Sequence, residues 1–327
     1  MSEKKMNLQI CRSVGMDMDE EYILENGRVI VVGVGDGGKS TVMRTIEECS
    51  RNVEFIMINT YAVPMNSLKA KAKIQISRHG MKILGAETDP EAGRRAAEEN
   101  REEIKKYIER ANMVIITAGM GGSAGTGAAP VIAETAKSLG ILTAAIVTMP
   151  FMQEGSLRAE TAEKGVRLLS EKVDSIAVIK NDDILKYIDQ NDIGKNKFRY
   201  VDDFLSKSIH GITDLINGRG LINCDIYDLR TVMLGANRMY VGIGRANGKN
   251  AAEESVNNAL AQLSDVDAND IRGVILYIIG GKLSLLEVQN IGDSIHNKIR
   301  DDADIIVGST IDESLNDEIQ VRLIMVC

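Results

Sequence analysis

Two glycine-rich loops, each set between an apolar run and a helical stretch, constrain this chain more than any other feature. The first, Gly33-Val-Gly-Asp-Gly-Gly-Lys39-Ser40, ends the apolar run that starts at Arg28 and leads into a helical pattern reaching Cys49. The second, Gly119-Met-Gly-Gly-Ser-Ala-Gly-Thr-Gly127, follows the apolar run from Met113 and opens a helix reading AAPVIAETAK. Glycines at a strand-to-helix turn let backbone N–H groups approach phosphate oxygens, where the helix dipole favours negative charge. Two such loops on adjacent strands point to a phosphorylated ligand.

The first loop alone fits two patterns. It satisfies the Walker A spacing, and through Gly33, Gly35 and Gly38 it satisfies the dinucleotide spacing as well. The dinucleotide reading wants a carboxylate at the end of the second strand, which instead ends Ile58-Asn59-Thr60-Tyr61. A P-loop wants an aspartate closing a later strand to help hold magnesium, and Val114-Ile115-Ile116 is followed by Thr117-Ala118-Gly119. Neither pattern accounts for the second loop.

Further strand candidates are the run from Val53, Ile141 to Pro150 and Asp174 to Lys180, separated by charged amphipathic segments such as PEAGRRAAEENREEIKKYIERA. Strands alternating with helices predict an α/β, parallel, doubly wound sheet with its ligand at the carboxyl ends of the strands. Residues Phe198 to Ile216 carry apolar positions at helical spacing and predict a long connecting helix. Beyond it, GVILYIIGG, ADIIVGSTID and EIQVRLIMV predict three strands around one helix, Ser284 to Arg300, in a smaller α+β domain. At 327 residues there is room for two domains. The net charge of -8 with no basic block disfavours direct nucleic-acid binding. No apolar run is long enough to predict a membrane span, and four scattered cysteines fit a reducing cytoplasm.

The second loop with its helix, ITAGMGGSAGTGAAPVIAETAKSLG, resembles the tubulin signature as it occurs in the FtsZ/tubulin superfamily of GTPases. PEAGRRAAEENREEI, MPFMQEGSLR, NDDILK, GLINCDIYDLRTVM, RGVILYIIGG and GSTIDESLNDEIQV follow in the family's order. The resemblance implies GTP/GDP binding assisted by Mg²⁺, with no metal ligands assigned, and head-to-tail self-assembly; adaptor partners are unassigned. It also implies a division into an extension (1–27), a GTP-binding domain (28–197), a connecting helix and start of the catalytic loop (198–222), and a C-terminal domain (223–327) carrying that loop and the polymerisation surface. Cell division and plasmid or phage DNA segregation are both roles of such filaments, and a P-loop ATPase switch is the rival class.

Carried over position by position, the phosphates would meet Gly35, Asp36, Gly37, Lys39, Ser40, Gly85, Ala86, Gly121, Gly122, Ser123, Ala124, Gly125 and Thr126. Glu154 and Arg158 would contact the ribose. Asn181, Phe198 and Asp202 would hydrogen-bond or stack on the guanine. Asn223, Asp225 and Asp228 resemble the loop that enters the next subunit's pocket, where its carboxylates orient or deprotonate water. Taken alone, two aspartates at that position would be helix caps or solvated turn residues. Departures cluster on the phosphate side: Asp36 and Lys39 replace glycines, Ser40 replaces Asn, Ser123 and Ala124 replace Gly and Thr, and Tyr61 replaces Asp. Gly85-Ala-Glu-Thr-Asp89 replaces a glycine- and alanine-rich loop. Lys39 is expected to supply charge to a terminal phosphate.

Overall fold

A computed structural model describes residues 27–48, 53–60, 70–76, 89–187, 196–217, 221–222, 224–263 and 266–327. Its centre is a ten-stranded sheet in the order β3-β2-β1-β4-β5-β6-β7-β10-β8-β9. The first six strands are parallel: β1 (Val29–Val34), β2 (Val53–Asn59), β3 (Ala72–Gln75), β4 (Met113–Gly119), β5 (Leu142–Met149) and β6 (Ser175–Lys180). Side chains alternate between faces, so β1 sends Val29 and Val31 into one core and Ile30, Val32 and Val34 into another. A strand buried on both faces reads as an unbroken apolar run, which is why β1 and β4 stand out in the sequence.

Helices cover both faces: α1 (Gly35–Glu48), α2 (Pro90–Glu99), α3 (Arg101–Ile108), α4 (Ala129–Ser138), α5 (Ser156–Ser170) and the short α6 (Asn181–Leu185). The charged segment expected as one helical stretch is two helices. Asn100 breaks it, its side-chain amide donating to the carbonyls of Ile76 and Ala96 and tying the break to the end of β3.

The long helix expected after Phe198 is α7 (Lys197–Asn217). It buries Val201, Leu205, Ile209, Ile212 and Leu215 in a core shared with Val31 and Ile146 from the first half and with Ile275, Tyr277 and Ile324 from the second. Each such side chain contributes roughly 1.5–3 kcal/mol on burial, so α7 is locked against both halves.

The remaining elements are α8 (Ile226–Met233), β7 (Asn237–Asn247), α9 (Ala251–Ala261), β8 (Gly273–Gly280), α10 (Leu285–His296), β9 (Asp304–Ile311) and β10 (Glu318–Val326). β7 pairs with β6 over three residues, which joins the two halves into one sheet; β10 then pairs antiparallel with both β7 and β8. Three expectations need correction here. Among the described residues this half carries four strands rather than three and three α-helices rather than one, and α10 ends at His296, four residues short of the expected boundary. No described helix is long and apolar enough to cross a membrane.

Candidate functional site

The strand order reverses direction between β1 and β4, and both glycine loops leave the sheet there. Gly33 pairs with Thr117 and Val34 with Ala118, so the two loops start side by side at the carboxyl ends of parallel strands. That crevice is where open α/β sheets bind ligands. The first loop is the opening turn of α1, where the first backbone N–H groups have no intrahelical partner. Asp36, Gly37 and Ser40 are exposed there, and Lys39 is half-buried. Gly35 turns with φ +70°. A Cβ on it would stand 3.3 Å from that of Ala124 and 3.4 Å from the Gly125 nitrogen, so the loops touch.

The second loop folds back on itself. The Gly121 N–H donates to the Thr126 hydroxyl at 2.7 Å, and residues Ala124–Ala128 form a π-helical turn, a geometry frequent at functional sites. A Cβ on Gly125 would lie 2.2 Å from the Gly119 carbonyl oxygen, so only glycine fits this turn. Ser123 is buried with its hydroxyl unpartnered among the described residues, and half-buried Gly122 lies beside it.

The ribose and base candidates converge on the same rim. Glu154 accepts from the Phe151 N–H at 2.8 Å and pairs with Arg158 Nε at 3.3 Å. Arg158 lies against Gly121: a Cβ on that glycine would be 2.7 Å from the Arg158 Cγ. The Met152 N–H donates to Asp182 at 2.9 Å, fastening this turn to the first turn of α6. Asn181 opens α6, 4% exposed, and its side-chain oxygen has no partner among the described residues. A buried amide oxygen without a donor costs about 1–3 kcal/mol, so this position leaves an acceptor open at the rim. Phe198, half exposed, meets the buried Phe151 edge to face at 5.2 Å, with the Lys197 ammonium 4.0 Å over the Phe151 ring.

Asp202, one turn along α7, accepts from the Thr41 hydroxyl of α1 at 3.3 Å. Burial raises its carboxyl to about pH 6; the Thr41 hydrogen bond opposes the rise, neighbouring Asp203 adds to it, and Arg44 lowers it. The native state thus binds more protons than the unfolded chain between the two pKa values. Stability from this group is present at low pH and is lost as pH rises through about 6. Arg44 also pairs with Asp203, clasping α1 to α7. Thr41, Arg44 and Asp203 were not among the residues expected from sequence. The helical register of TVMRTI places Thr41 and Arg44 on one face of α1, but their partners lie about 160 positions away.

Asp225 and Asp228 lie elsewhere. Asp225 caps α8, accepting from the N–H groups of Tyr227 and Asp228 at 2.7 and 3.0 Å, while Asp228 accepts from the Asp225 N–H at 3.1 Å. The capping role is therefore real within the chain. Ile226 packs against Gly27, which precedes β1, and Arg230 donates to Gly140, which precedes β5. The aspartates consequently sit at the amino edge of the parallel sheet, whose carboxyl edge carries the glycine loops. Six residues of β1 at about 3.3 Å each put roughly 20 Å of strand between the two sites. The 21 residues of α7 span about 31 Å in the same direction. Gly85, Ala86 and Asn223, with Tyr61 and Glu87, lie outside the described residues.

Comparison with known proteins matches residues 28–189 to the Tubulin/FtsZ family, GTPase domain, and residues 237–327 to the FtsZ family, C-terminal domain. The chain is 39% identical over 304 residues to the cell division protein FtsZ of Coxiella burnetii, covering 92% of this chain and 79% of that one. It is 40% identical over 311 residues to its counterpart in Buchnera aphidicola subsp. Acyrthosiphon pisum, covering 94% and 81%. Among solved structures, an empty FtsZ dimer from M. jannaschii superposes with a TM-score of 0.87 at 35% identity over 94% of this chain and 90% of that one. CetZ2 from Haloferax volcanii, a GTPγS-bound protofilament, shares the fold with a TM-score of 0.72 at 17% identity over 92% and 93%.

Proposed function

The chain belongs to the tubulin/FtsZ family of GTPases, and from that premise we propose that it is a cytoplasmic cell-division filament protein whose GTP is hydrolysed only between stacked subunits. The observation that carries this reading is the placement of Asp225 and Asp228 at the opposite end of the sheet from the glycine loops. A rigid α7 gives one molecule no way to bring them to its own phosphates. A copy stacked head to tail presents them to its neighbour's pocket instead. Apolar side chains are exposed at both ends: Met152 and Leu157 beside the pocket, Leu221 and Tyr227 beside Asp225. The division role follows the named relatives, which are 39–40% identical.

In the pocket, backbone N–H groups of both loops hold the phosphates, Glu154 and Arg158 hold the ribose, and Asn181, Phe198 and Asp202 hold the guanine. Asp202 in its ionised form accepts from N1–H and the exocyclic amine, whereas adenine offers an acceptor at N1, leaving both mispaired. Water is a poor nucleophile, so the neighbour's Asp225 and Asp228 orient it and take its proton.

Among the described residues, no group of three or more His, Cys, Asp or Glu side chains is placed to hold a metal ion. Mg²⁺ characteristically binds through phosphate oxygens, water and one or two carboxylates, and Asp36, on the first loop, suits that share. When bound, it would neutralise charge developing on the phosphates. Lys39, on the same turn, adds a point charge for the terminal phosphates. Lys39→Ala is expected to weaken GTP binding about tenfold, the equivalent of one charge-assisted hydrogen bond; affinity within twofold of native in a calorimetric titration would remove Lys39 from the site. The reading as a whole is tested by electron microscopy and phosphate release with GTP, ATP and GDP. It expects filaments and turnover with GTP, and it fails if ATP supports both equally.

A further inference from the structure

We propose that Thr41 is a positioning residue for base recognition, its hydroxyl holding the Asp202 carboxylate ionised for a guanine while linking it to the first glycine loop. The inference rests on the guanine-nucleotide reading above. Thr41 is fully buried, and its Oγ lies 3.3 Å from Asp202 Oδ1 and 3.1 Å from the Gly37 carbonyl oxygen. A hydroxyl has one proton, so it donates to one of these acceptors at a time. With Asp202 ionised, Thr41 donates to the carboxylate. With Asp202 neutral, the acid's own proton bridges to Thr41 Oγ, and Thr41 donates to Gly37. Gly37 abuts the second loop, since a Cβ there would stand 3.0 Å from the Gly119 nitrogen. The protonation state at the base end therefore decides whether the Gly37 carbonyl at the phosphate end receives the Thr41 proton.

A guanine selects the ionised state, because its N1–H and 2-amino donors bond more strongly to a carboxylate than to a neutral acid. The charged groups acting on Asp202 among the described residues are Asp203 on its own helix, which disfavours ionisation, and Arg44 on α1, which favours it. Arg44 is shared with Asp203 and Glu47, which leaves the Thr41 hydroxyl as the leading influence that opposes burial.

The test is the affinity of a fluorescent N-methylanthraniloyl GDP for the full chain and its Thr41→Val and Thr41→Ser variants between pH 5.5 and 8. Loss of a hydrogen bond to a charged group is expected to move the Asp202 midpoint up by about one pH unit. Thr41→Val should then bind within twofold of native at pH 8 and about fivefold more weakly at pH 6, the fall in affinity setting in at higher pH than in the native chain. Thr41→Ser should track the native chain throughout. Taking the variant-to-native ratio cancels titration of the nucleotide's own phosphate. Thr41→Ala, which cannot overpack the site, serves as a second hydroxyl-free variant and should reproduce the Thr41→Val curve. A ratio that stays flat with pH, alongside native preference for this probe over N-methylanthraniloyl ADP, overturns the inference alone. Equal binding of the two probes at pH 8 overturns it together with the reading beneath it.

Discussion

Asp225→Asn will bind GTP and form filaments as the native chain does, yet release phosphate roughly 10²–10⁴-fold more slowly, the range a positioned general base supplies. Asparagine is the informative replacement. Asp225 caps α8 through two backbone N–H groups, and asparagine caps a helix about as well, whereas alanine there costs about 1 kcal/mol. Asn therefore keeps the loop in shape while removing the proton acceptor. Filaments that no longer turn over should also persist longer after GTP addition, which light scattering follows directly. Native turnover in Asp225→Asn would reduce the residue to its capping role.

Asp202→Asn will exchange guanine preference for xanthine preference. An asparagine at this position offers one acceptor and one donor in place of two acceptors. Guanine needs two acceptors, from N1–H and the 2-amino group, so the amide would set a donor against a donor. Xanthine carries a carbonyl at position 2 and restores the match. A mispaired group at a charged site is worth about 1.5–3 kcal/mol, so GTP affinity should fall roughly 10–10²-fold. XTP should bind the variant more tightly than GTP does. If GTP still outcompetes XTP in the variant, Asp202 does not face the base.

Much of the first half was readable from residues alone. The two loops announce themselves because their backbone geometry has a local cause: close approaches that exclude a Cβ, as at Gly125, can be met only by glycine. β1 and β4 were legible because burial on both faces leaves almost no polar residue in the strand, Thr117 being the exception. β7 was missed, and the reason is physical. Gly242 and Gly244 interrupt its pattern, since α9 lies so close that a Cβ on either would stand 2.3 Å from the Ala259 carbonyl oxygen or 1.8 Å from that of Ser255. Its pairing to β6, which makes the sheet continuous, is a long-range contact that no local pattern encodes.

The site divides in the same way. Asn181, Phe198 and Asp202 were assigned by resemblance, and the fold brings them to the rim occupied by Glu154, Arg158 and the glycine loops. The Thr41–Asp202 and Arg44–Asp203 contacts escaped the sequence because each joins residues about 160 positions apart. Asp225 illustrates the opposite case: its local role as a helix cap is plain from the sequence, while its distance from the phosphates depends entirely on how α7 crosses the sheet.

The central claim is that one molecule holds the nucleotide but lacks the groups to cut it. The direct measurement is phosphate release per molecule across a dilution series, with sedimentation run at each concentration to count free and assembled chains. Turnover per molecule should be near zero where the chains are single and rise steeply once assembly begins. A rate per molecule that stays constant down to dilutions where every chain is demonstrably alone would contradict the account.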